Sequence, residues 1–182
     1  MTTFTDPGIL PRQDYATFEA KMLQAGISKE DVPKVTGVTT IKGVDVDCQK
    51  CRTCHIFRPP RSFHCKDCDA CIEVHDHHCP WTGTCIGKRN HRFFLLFNTF
   101  TSIHAAVTAT IDICYLCIIV QLFSEQSAAN GKVMGIVLAF YSTCILCCVG
   151  GLFCYHCSLA CQGGTTNEDL RGYKYNRDGS LK

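Results

Sequence analysis

The amino-acid sequence predicts an α-helical integral membrane protein, with two transmembrane helices next to a small zinc-stabilised cytosolic cysteine-rich domain. Three observations predict this class: two long apolar runs in the second half of the chain, a dense group of cysteines and histidines before them, and basic residues outside both runs. The composition agrees, because 46% of the 182 residues are hydrophobic and only 19% are charged. A formal net charge of +2 argues against nucleic-acid binding, which usually needs a strongly basic face.

The N-terminal segment, residues 1–47, is polar and has no run long enough to span a membrane. Asp6-Pro7-Gly8 predicts a turn, because proline disfavours helix in the residue before it. Residues 14–23 predict a short helix with an apolar face that includes Phe18. Residues 34–47 alternate β-branched and polar side chains around a Lys-Gly pair, which predicts a small hairpin.

Two apolar runs occupy most of the second half of the chain. Between residues 93 and 124, Asp112 is the only formally charged side chain, and residues 133–153 have none. At about 1.5 Å of rise per residue, either run can cross the roughly 30 Å hydrocarbon core of a bilayer. We therefore expect transmembrane helices at residues 93–124 and 133–161, joined by a luminal or extracellular loop at residues 125–132. Buried core helices are the alternative, but so short a chain has little other protein to surround them.

Basic residues indicate the orientation of these helices. They lie outside the two runs, whereas the loop between the runs has one lysine offset by one glutamate. The positive-inside rule therefore predicts that both ends of the chain are cytosolic. The basic residues are Lys88, Arg89, Arg92, Arg171, Lys174 and Arg177. In the tail, residues 162–182, the run Thr165-Thr166-Asn167-Glu168 has the spacing of a capping box and predicts a helix N-terminus.

Sixteen cysteines in a chain of this length could indicate the disulfide scaffold of a secreted protein. Three features argue against it. The N-terminus has no apolar core of the length that a secretory signal needs, and the densest cysteines alternate with histidines. Several other cysteines lie within the apolar runs. We therefore expect reduced thiols in a cytosolic environment.

Residues 48–92 have the spacing of a zinc-binding domain. Zinc in closed structural sites takes four thiolate or imidazole ligands, and a short polar segment depends on such a metal to fold. Spacing leaves two ambiguities, because the first Cys-x2-Cys pair could be Cys48/Cys51 or Cys51/Cys54, and His75 is a spare possible ligand. Four ligands would make one site and eight would make two. The pattern of candidates is Cys51, Cys54, His64-Cys65, Cys68, Cys71, then the run Asp76-His77-His78-Cys79, and Cys85.

Cys79 has two interpretations. A cysteine becomes a good nucleophile when a base or a positive charge lowers its thiol pKa. His77 lies two residues away and Asp76 could orient its imidazole, which would make a compact Cys-His-Asp set. Equally, Cys79 could be another zinc ligand and His77 a structural residue. Spacing alone does not separate the two.

The pattern as a whole resembles a known family. The residues that carry the resemblance are His64-Cys65, Cys68, Cys71, Asp76-His77-His78-Cys79-Pro80-Trp81, Cys85-Ile86-Gly87 and Asn90. This run resembles the cysteine-rich domain of the DHHC protein S-acyltransferases, or palmitoyltransferases. Asp6-Pro7-Gly8 and the run at residues 165–168 resemble the DPG and TTxE motifs of the same family, so the resemblance covers nearly the whole chain.

The resemblance implies roles for these residues. It makes Cys79 the acylated nucleophile, His77 its base and Asp76 the residue that polarises His77. A long acyl chain, usually palmitoyl, would pass from palmitoyl-CoA to Cys79 and then to a substrate cysteine. Expected partners are membrane lipid and membrane-associated substrate proteins with cytosolic cysteines, and not nucleic acid. Two structural Zn²⁺ ions would bind in interleaved fashion, one to Cys51, Cys54, His64 and Cys71 and the other to Cys65, Cys68, His78 and Cys85.

The resemblance also raises an expectation about topology. Family members usually have four spans, two of them before the cysteine-rich domain, whereas here Met1 stands just before the DPG-like motif. We therefore expect a multi-pass protein of an endomembrane (Golgi or endoplasmic reticulum) or the plasma membrane that lacks the first two spans. The rival expectation is a catalytically inactive zinc-binding membrane adaptor or fragment.

Overall fold

The computed structural model describes residues 1–32, 37–41, 44–122 and 129–172. These residues divide into two compact units, one drawn from Met1–Phe93 and Leu159–Lys182, the other from Phe94–Ser158. Residues 125–128 of the loop expected at residues 125–132, and the tail beyond residue 172, lie outside the described residues, whereas residues 129–132 are helical.

Within the described residues, three small antiparallel sheets form the framework of the first unit. The orders are β1 (Ile9–Leu10), β6 (Ala70–Ile72), β5 (Phe63–Cys65) in one sheet, and β2 (Gly37–Ile41), β3 (Val44–Cys51), β4 (Ile56–Arg58) in the second. The third sheet pairs β7 (His77–Cys79) with β8 (Thr84–Ile86). The pairing of β2 with β3 confirms the predicted hairpin, although the Lys-Gly pair between the strands lies outside the described residues.

Helix α1 (Tyr15–Gln24) confirms the short helix predicted near the N-terminus. Asp14 is its N-cap, and the Asp14 carboxylate accepts a hydrogen bond from the Thr17 N–H at 2.7 Å. Phe18 is buried, with its ring 5.5 Å from the ring of Phe57. The remaining core of this unit consists mostly of cysteines with a few isoleucines. So small an apolar core needs further cross-links to be stable.

Helix α4 (Thr166–Arg171) also belongs to the first unit. Thr165 is its N-cap and forms the predicted capping box with Glu168. The Glu168 N–H donates to Thr165 Oγ1 at 3.3 Å, and the Thr165 N–H donates to Glu168 Oε2 at 3.0 Å. Gly172 ends the helix with a φ of 71°, in the left-handed region that glycine adopts without strain.

The second unit consists of the main parts of α2 (His91–Leu122) and α3 (Ala129–Gln162). By length and composition, both helices can cross a membrane, and only 11% and 6% of their most apolar windows are buried. Such exposure argues against core helices of a soluble protein. The two helices contact each other where Gly135 of α3 lies against Leu116 of α2, and where the Ser102 hydroxyl donates to the Val149 carbonyl at 3.5 Å.

Candidate active site and metal centres

Cys51, Cys54, His64 and Cys71 form a first group, and their ligand atoms all lie within 4.8 Å of one another. A turn after β3 brings Cys54 back to Cys51, so that the Cys54 N–H donates to Cys51 Sγ at 3.4 Å. The β5–β6 hairpin pairs His64 with Cys71 across the sheet. His64 Nδ1 therefore lies 3.4 Å from Cys54 Sγ and 3.7 Å from Cys71 Sγ.

Cys65, Cys68, His78 and Cys85 form a second group, again with all ligand atoms within 4.8 Å of one another. The β7–β8 hairpin pairs His78 with Cys85. His78 Nδ1 lies 3.4 Å from Cys68 Sγ and 3.7 Å from the sulfurs of Cys65 and Cys85. Successive side chains of a strand point to opposite faces, so His64 and Cys65 contribute to different groups. The two groups interleave for this reason.

The chemistry of both groups suits a metal ion. All sixteen cysteines lie in the described part of the chain and all are free thiols, as expected for a reduced protein. Burial, and then contact with neighbouring thiols, raises the pKa of Cys71 and of Cys85. A bound cation would reverse this effect, because it favours the thiolate. Closed groups of three sulfurs and one imidazole fit Zn²⁺.

Two residues that spacing left open lie outside both groups. Cys48 is buried in β3, where it pairs with Gly37 of the neighbouring strand. His75 is also buried, and its Nε2 lies 3.7 Å from Cys85 Sγ. Burial lowers the pKa of His75 to about 4.

Asp76, His77 and Cys79 lie together beside the second group, and none of them belongs to either group. Asp76 is only 2% exposed, and its Oδ2 is 2.5 Å from His77 Nδ1. This contact leaves Nε2 of His77 for the side chain of Cys79, to which His77 is hydrogen-bonded. The chain therefore holds a carboxylate, an imidazole and a buried thiol in series.

At Asp76, His77 and Cys79, hydrogen bonds and neighbouring charges shift the pKa more than burial does. Burial alone would raise the pKa of Asp76, but contacts with His77 and the Thr166 N–H lower it. Burial alone would lower the pKa of His77, but the Asp76 carboxylate raises it. Burial would raise the pKa of Cys79, whereas the Thr82 hydroxyl and N–H, and then His77, lower it. The arrangement therefore favours a thiolate beside an imidazolium, which is the charge state of an activated cysteine nucleophile.

Thr166 holds Asp76 from the far end of the chain. Its N–H donates to Asp76 Oδ1 at 2.7 Å, and its hydroxyl donates to Asp76 Oδ2 at 3.1 Å. The sequence predicted a helix N-terminus and a resemblance to the TTxE motif at this position, but not a contact with Asp76, and it contained no sign of Thr82 next to Cys79. A capping-box pattern is local, so it carries no information about a partner 90 residues away.

Arg61 fixes α4 to the sheets of the first unit. Its Nε and Nη2 lie 2.5 and 2.9 Å from the two carboxylate oxygens of Glu168, and Nη2 also donates to the Gly163 carbonyl at 2.8 Å. The side chains of Arg61 and Glu168 are 18% and 6% exposed. This forked, largely buried pair therefore positions the N-terminus of α4, including Thr166, against Asp76.

The Asp6-Pro7-Gly8 turn docks on the same unit. The Glu73 N–H donates to the Gly8 carbonyl at 2.8 Å, and the Arg89 N–H donates to the Pro7 carbonyl at 3.3 Å. Gly87 allows this approach, since a Cβ there would lie 2.5 Å from the Pro7 oxygen. The turn leads directly into β1, which pairs with β6 beside the first metal-ligand group.

Comparison with known proteins agrees with this geometry. A sequence model of the DHHC palmitoyltransferase family matches residues 46–172. Over 94% of its length, the chain is 39% identical to palmitoyltransferase ZDHHC18 of Rattus norvegicus, 37% identical to palmitoyltransferase ZDHHC5 of the same species and 35% identical to palmitoyltransferase ZDHHC8B of Danio rerio. It spans 45%, 22% and 21% of these relatives. The chain belongs to the DHHC palmitoyltransferase family.

Proposed function

We propose that this chain is a protein-cysteine S-palmitoyltransferase, which passes a long acyl chain from palmitoyl-CoA through Cys79 to cysteines of substrate proteins. The observation that carries the proposal is the series Asp76–His77–Cys79, in which a buried carboxylate orients an imidazole beside a thiol of lowered pKa. The relatives named above are all palmitoyltransferases, which supports the reaction class.

In the first step, the Cys79 thiol gives its proton to His77, and the resulting thiolate attacks the thioester carbonyl of palmitoyl-CoA. A bond forms between Cys79 Sγ and the acyl carbon, and the bond from that carbon to the sulfur of CoA breaks. His77 returns the proton to the CoA thiolate. Asp76 stabilises the imidazolium that exists between the two proton transfers.

In the second step, His77 takes the proton of a substrate cysteine, and the substrate thiolate attacks the acyl-Cys79 thioester. The acyl chain moves to the substrate sulfur, and Cys79 leaves as a thiolate that His77 protonates. Each step exchanges one thioester for another, so neither needs an external energy source. The same base therefore serves both steps.

Two zinc ions belong to the proposal as structural cross-links. One would be held by Cys51, Cys54, His64 and Cys71, and the other by Cys65, Cys68, His78 and Cys85. Zinc in such closed groups supplies folding free energy and has no open position for substrate. The reacting atoms are those of the chain and the thioester.

The proposal further includes α2 and α3 as spans of a multi-pass protein, in an endomembrane or the plasma membrane, with the cysteine-rich unit on the cytosolic side. Palmitoyl-CoA and the cytosolic cysteines of membrane-associated substrates would be accessible there. Each buried methylene of the acyl chain gains about 0.8 kcal/mol in lipid, so a nucleophile at the membrane surface suits this substrate.

The test is to incubate the purified protein, in lipid nanodiscs, with radiolabelled palmitoyl-CoA. We expect label that hydroxylamine removes, that is absent in Cys79→Ser and that persists in Cys48→Ser, a matched change of a buried thiol outside both metal groups. Transfer of label to a cysteine peptide tests the second step. A folded protein with two zinc ions and no label would favour the rival function, a zinc-binding membrane adaptor.

A further inference from the structure

His75 is a buried side chain that the proposed reaction does not use. It directly precedes Asp76, and only 7% of its surface is exposed. Its backbone N–H donates to the Arg61 carbonyl at 3.0 Å, and its ring packs against Phe63 with 5.7 Å between ring centroids. Backbone and ring are therefore both fixed, and the imidazole has a defined direction.

That direction is toward a sulfur of the second metal group. His75 Nε2 lies 3.7 Å from Sγ of Cys85, which is itself completely buried. In the part of the chain that the structure describes, His75 Nδ1 is buried and has no hydrogen-bond partner. The tautomer with the proton on Nε2 is therefore favoured, because it uses the contact that the ring makes with Cys85.

His75 does not replace a member of the group. The ligand atoms of Cys65, Cys68, His78 and Cys85 all lie within 4.8 Å of one another, and His75 is outside that set. Its Nε2 approaches the group at the sulfur of Cys85. An imidazole that donates to a ligand sulfur from outside is the geometry of an outer hydrogen bond, which reduces the excess negative charge on a metal-bound thiolate.

We propose that His75 is a positioning residue that donates an N–H···S hydrogen bond from Nε2 to Cys85 and thereby retains the metal ion of the second group. This inference rests on the zinc assignment in the proposed function. Its consequence for Cys79 follows from the β7–β8 register, which pairs His78 with Cys85 and Cys79 with Thr84. Loss of the ion would release the short hairpin that carries the nucleophile.

The test compares zinc release from the full chain with that from His75→Phe, which keeps the aromatic contact with Phe63 and removes the donor. After addition of a chromophoric chelator, two zinc ions per chain should appear. We expect release of one ion to become about 10-fold faster, in line with the loss of other outer hydrogen bonds, and release of the second ion to keep its wild-type rate. The unaffected ion is the internal control.

A matched pair of variants separates the hydrogen bond from packing. His75→Gln keeps an N–H at similar reach, and His75→Met has a similar length with no donor. In the cobalt-substituted protein, loss of the donor should move the thiolate-to-cobalt charge-transfer band to longer wavelength in the Met and Phe variants. The Gln variant should restore both the band and the slow release. If His75→Phe fails to fold, the comparison of His75→Gln with His75→Met tests whether the hydrogen bond retains the metal ion.

Equal release rates and equal spectra for wild type, Met and Phe would overturn the inference and leave the proposed function intact. A wild-type chain that binds no metal would overturn both, because the zinc assignment itself would then be wrong. Neither outcome depends on palmitoyl labelling, since metal release and the cobalt spectrum are measured without acyl-CoA.

Discussion

The ion pair between Arg61 and Glu168 gives the sharpest test of how the site is supported. We predict that Arg61→Ala detaches α4 and so removes Thr166 from Asp76. The two side chains are 18% and 6% exposed, so removal of one partner leaves a poorly solvated charge. Such losses cost about 3–5 kcal/mol. We take the lower limit of this cost, because the Arg61 side chain is partly exposed to solvent and the Glu168 carboxylate still accepts a hydrogen bond from the Thr165 N–H at 3.0 Å.

A loss of about 3 kcal/mol raises the open population on the order of 100-fold. The assay is native-state hydrogen exchange at the Thr166 amide, which donates to Asp76 Oδ1 at 2.7 Å and is protected only while α4 is docked. Exchange at this amide should quicken by the same factor in Arg61→Ala. The matched control is Arg58→Ala, since Arg58 is a nearby arginine that donates instead to Gln49. Unchanged exchange at Thr166 in Arg61→Ala would refute the reasoning.

Three further predictions concern the nucleophile, the N-terminal turn and the metals. Because the pKa of Cys79 is lowered, its rate of acylation should rise with pH through a value below the ordinary thiol range. In His77→Ala this rise should move to higher pH. An unchanged pH profile in that variant would exclude His77 as the cause of the lowered pKa. Gly87→Ala should lower stability by about 1–3 kcal/mol, since its Cβ would lie 2.5 Å from the Pro7 oxygen. The control Gly150→Ala, in helix α3 with nothing within 4 Å, should not lower the melting temperature. Chelation of zinc should unfold strands β3 to β8 in the circular dichroism spectrum and abolish labelling, and retention of both would contradict a structural role for the metal.

Local patterns in the sequence were sufficient to predict several helices and one hairpin. The apolar runs predicted α2 and α3 because uninterrupted apolar composition is a property of neighbouring residues. The Thr165 capping box was predicted for the same reason, since it is an interaction within one helical turn. The hairpin of β2 and β3 followed from alternation with a period of two.

Spacing could not decide between Cys48/Cys51 and Cys51/Cys54, because both pairs are separated by two residues. The decision comes from three dimensions: β3 pairs Cys48 with Gly37, while the chain turns after Cys51 and returns Cys54 to it. His64 and Cys65 likewise belong to different metal-ligand groups because their strand directs neighbouring side chains to opposite faces. Equal spacing in sequence does not imply equal position in space.

The supports of Asp76 were the least predictable part of the site. Thr166 is 90 residues from Asp76, and Glu168 is 107 residues from Arg61. Contacts over such separations depend on the complete fold, and neither residue type is unusual in its local context. A threonine and a glutamate at the start of a helix satisfy its N-terminus, so a capping-box pattern does not reveal which residues they contact elsewhere in the chain.

The position of Cys79 explains why so many supports are needed. The strands β7 and β8 have three residues each, and a hairpin of that size is not stable by itself in water. Two contacts hold it: the docked α4 behind Asp76, and the Asp76 N–H bond to the Ile86 carbonyl at 2.9 Å. The proposed zinc ion between His78 and Cys85 would add a third. None of these contacts touches a reacting atom. A substitution far from the thiol can therefore abolish the proposed acyl transfer by moving the hairpin, while the carboxylate, imidazole and thiol all remain in the chain.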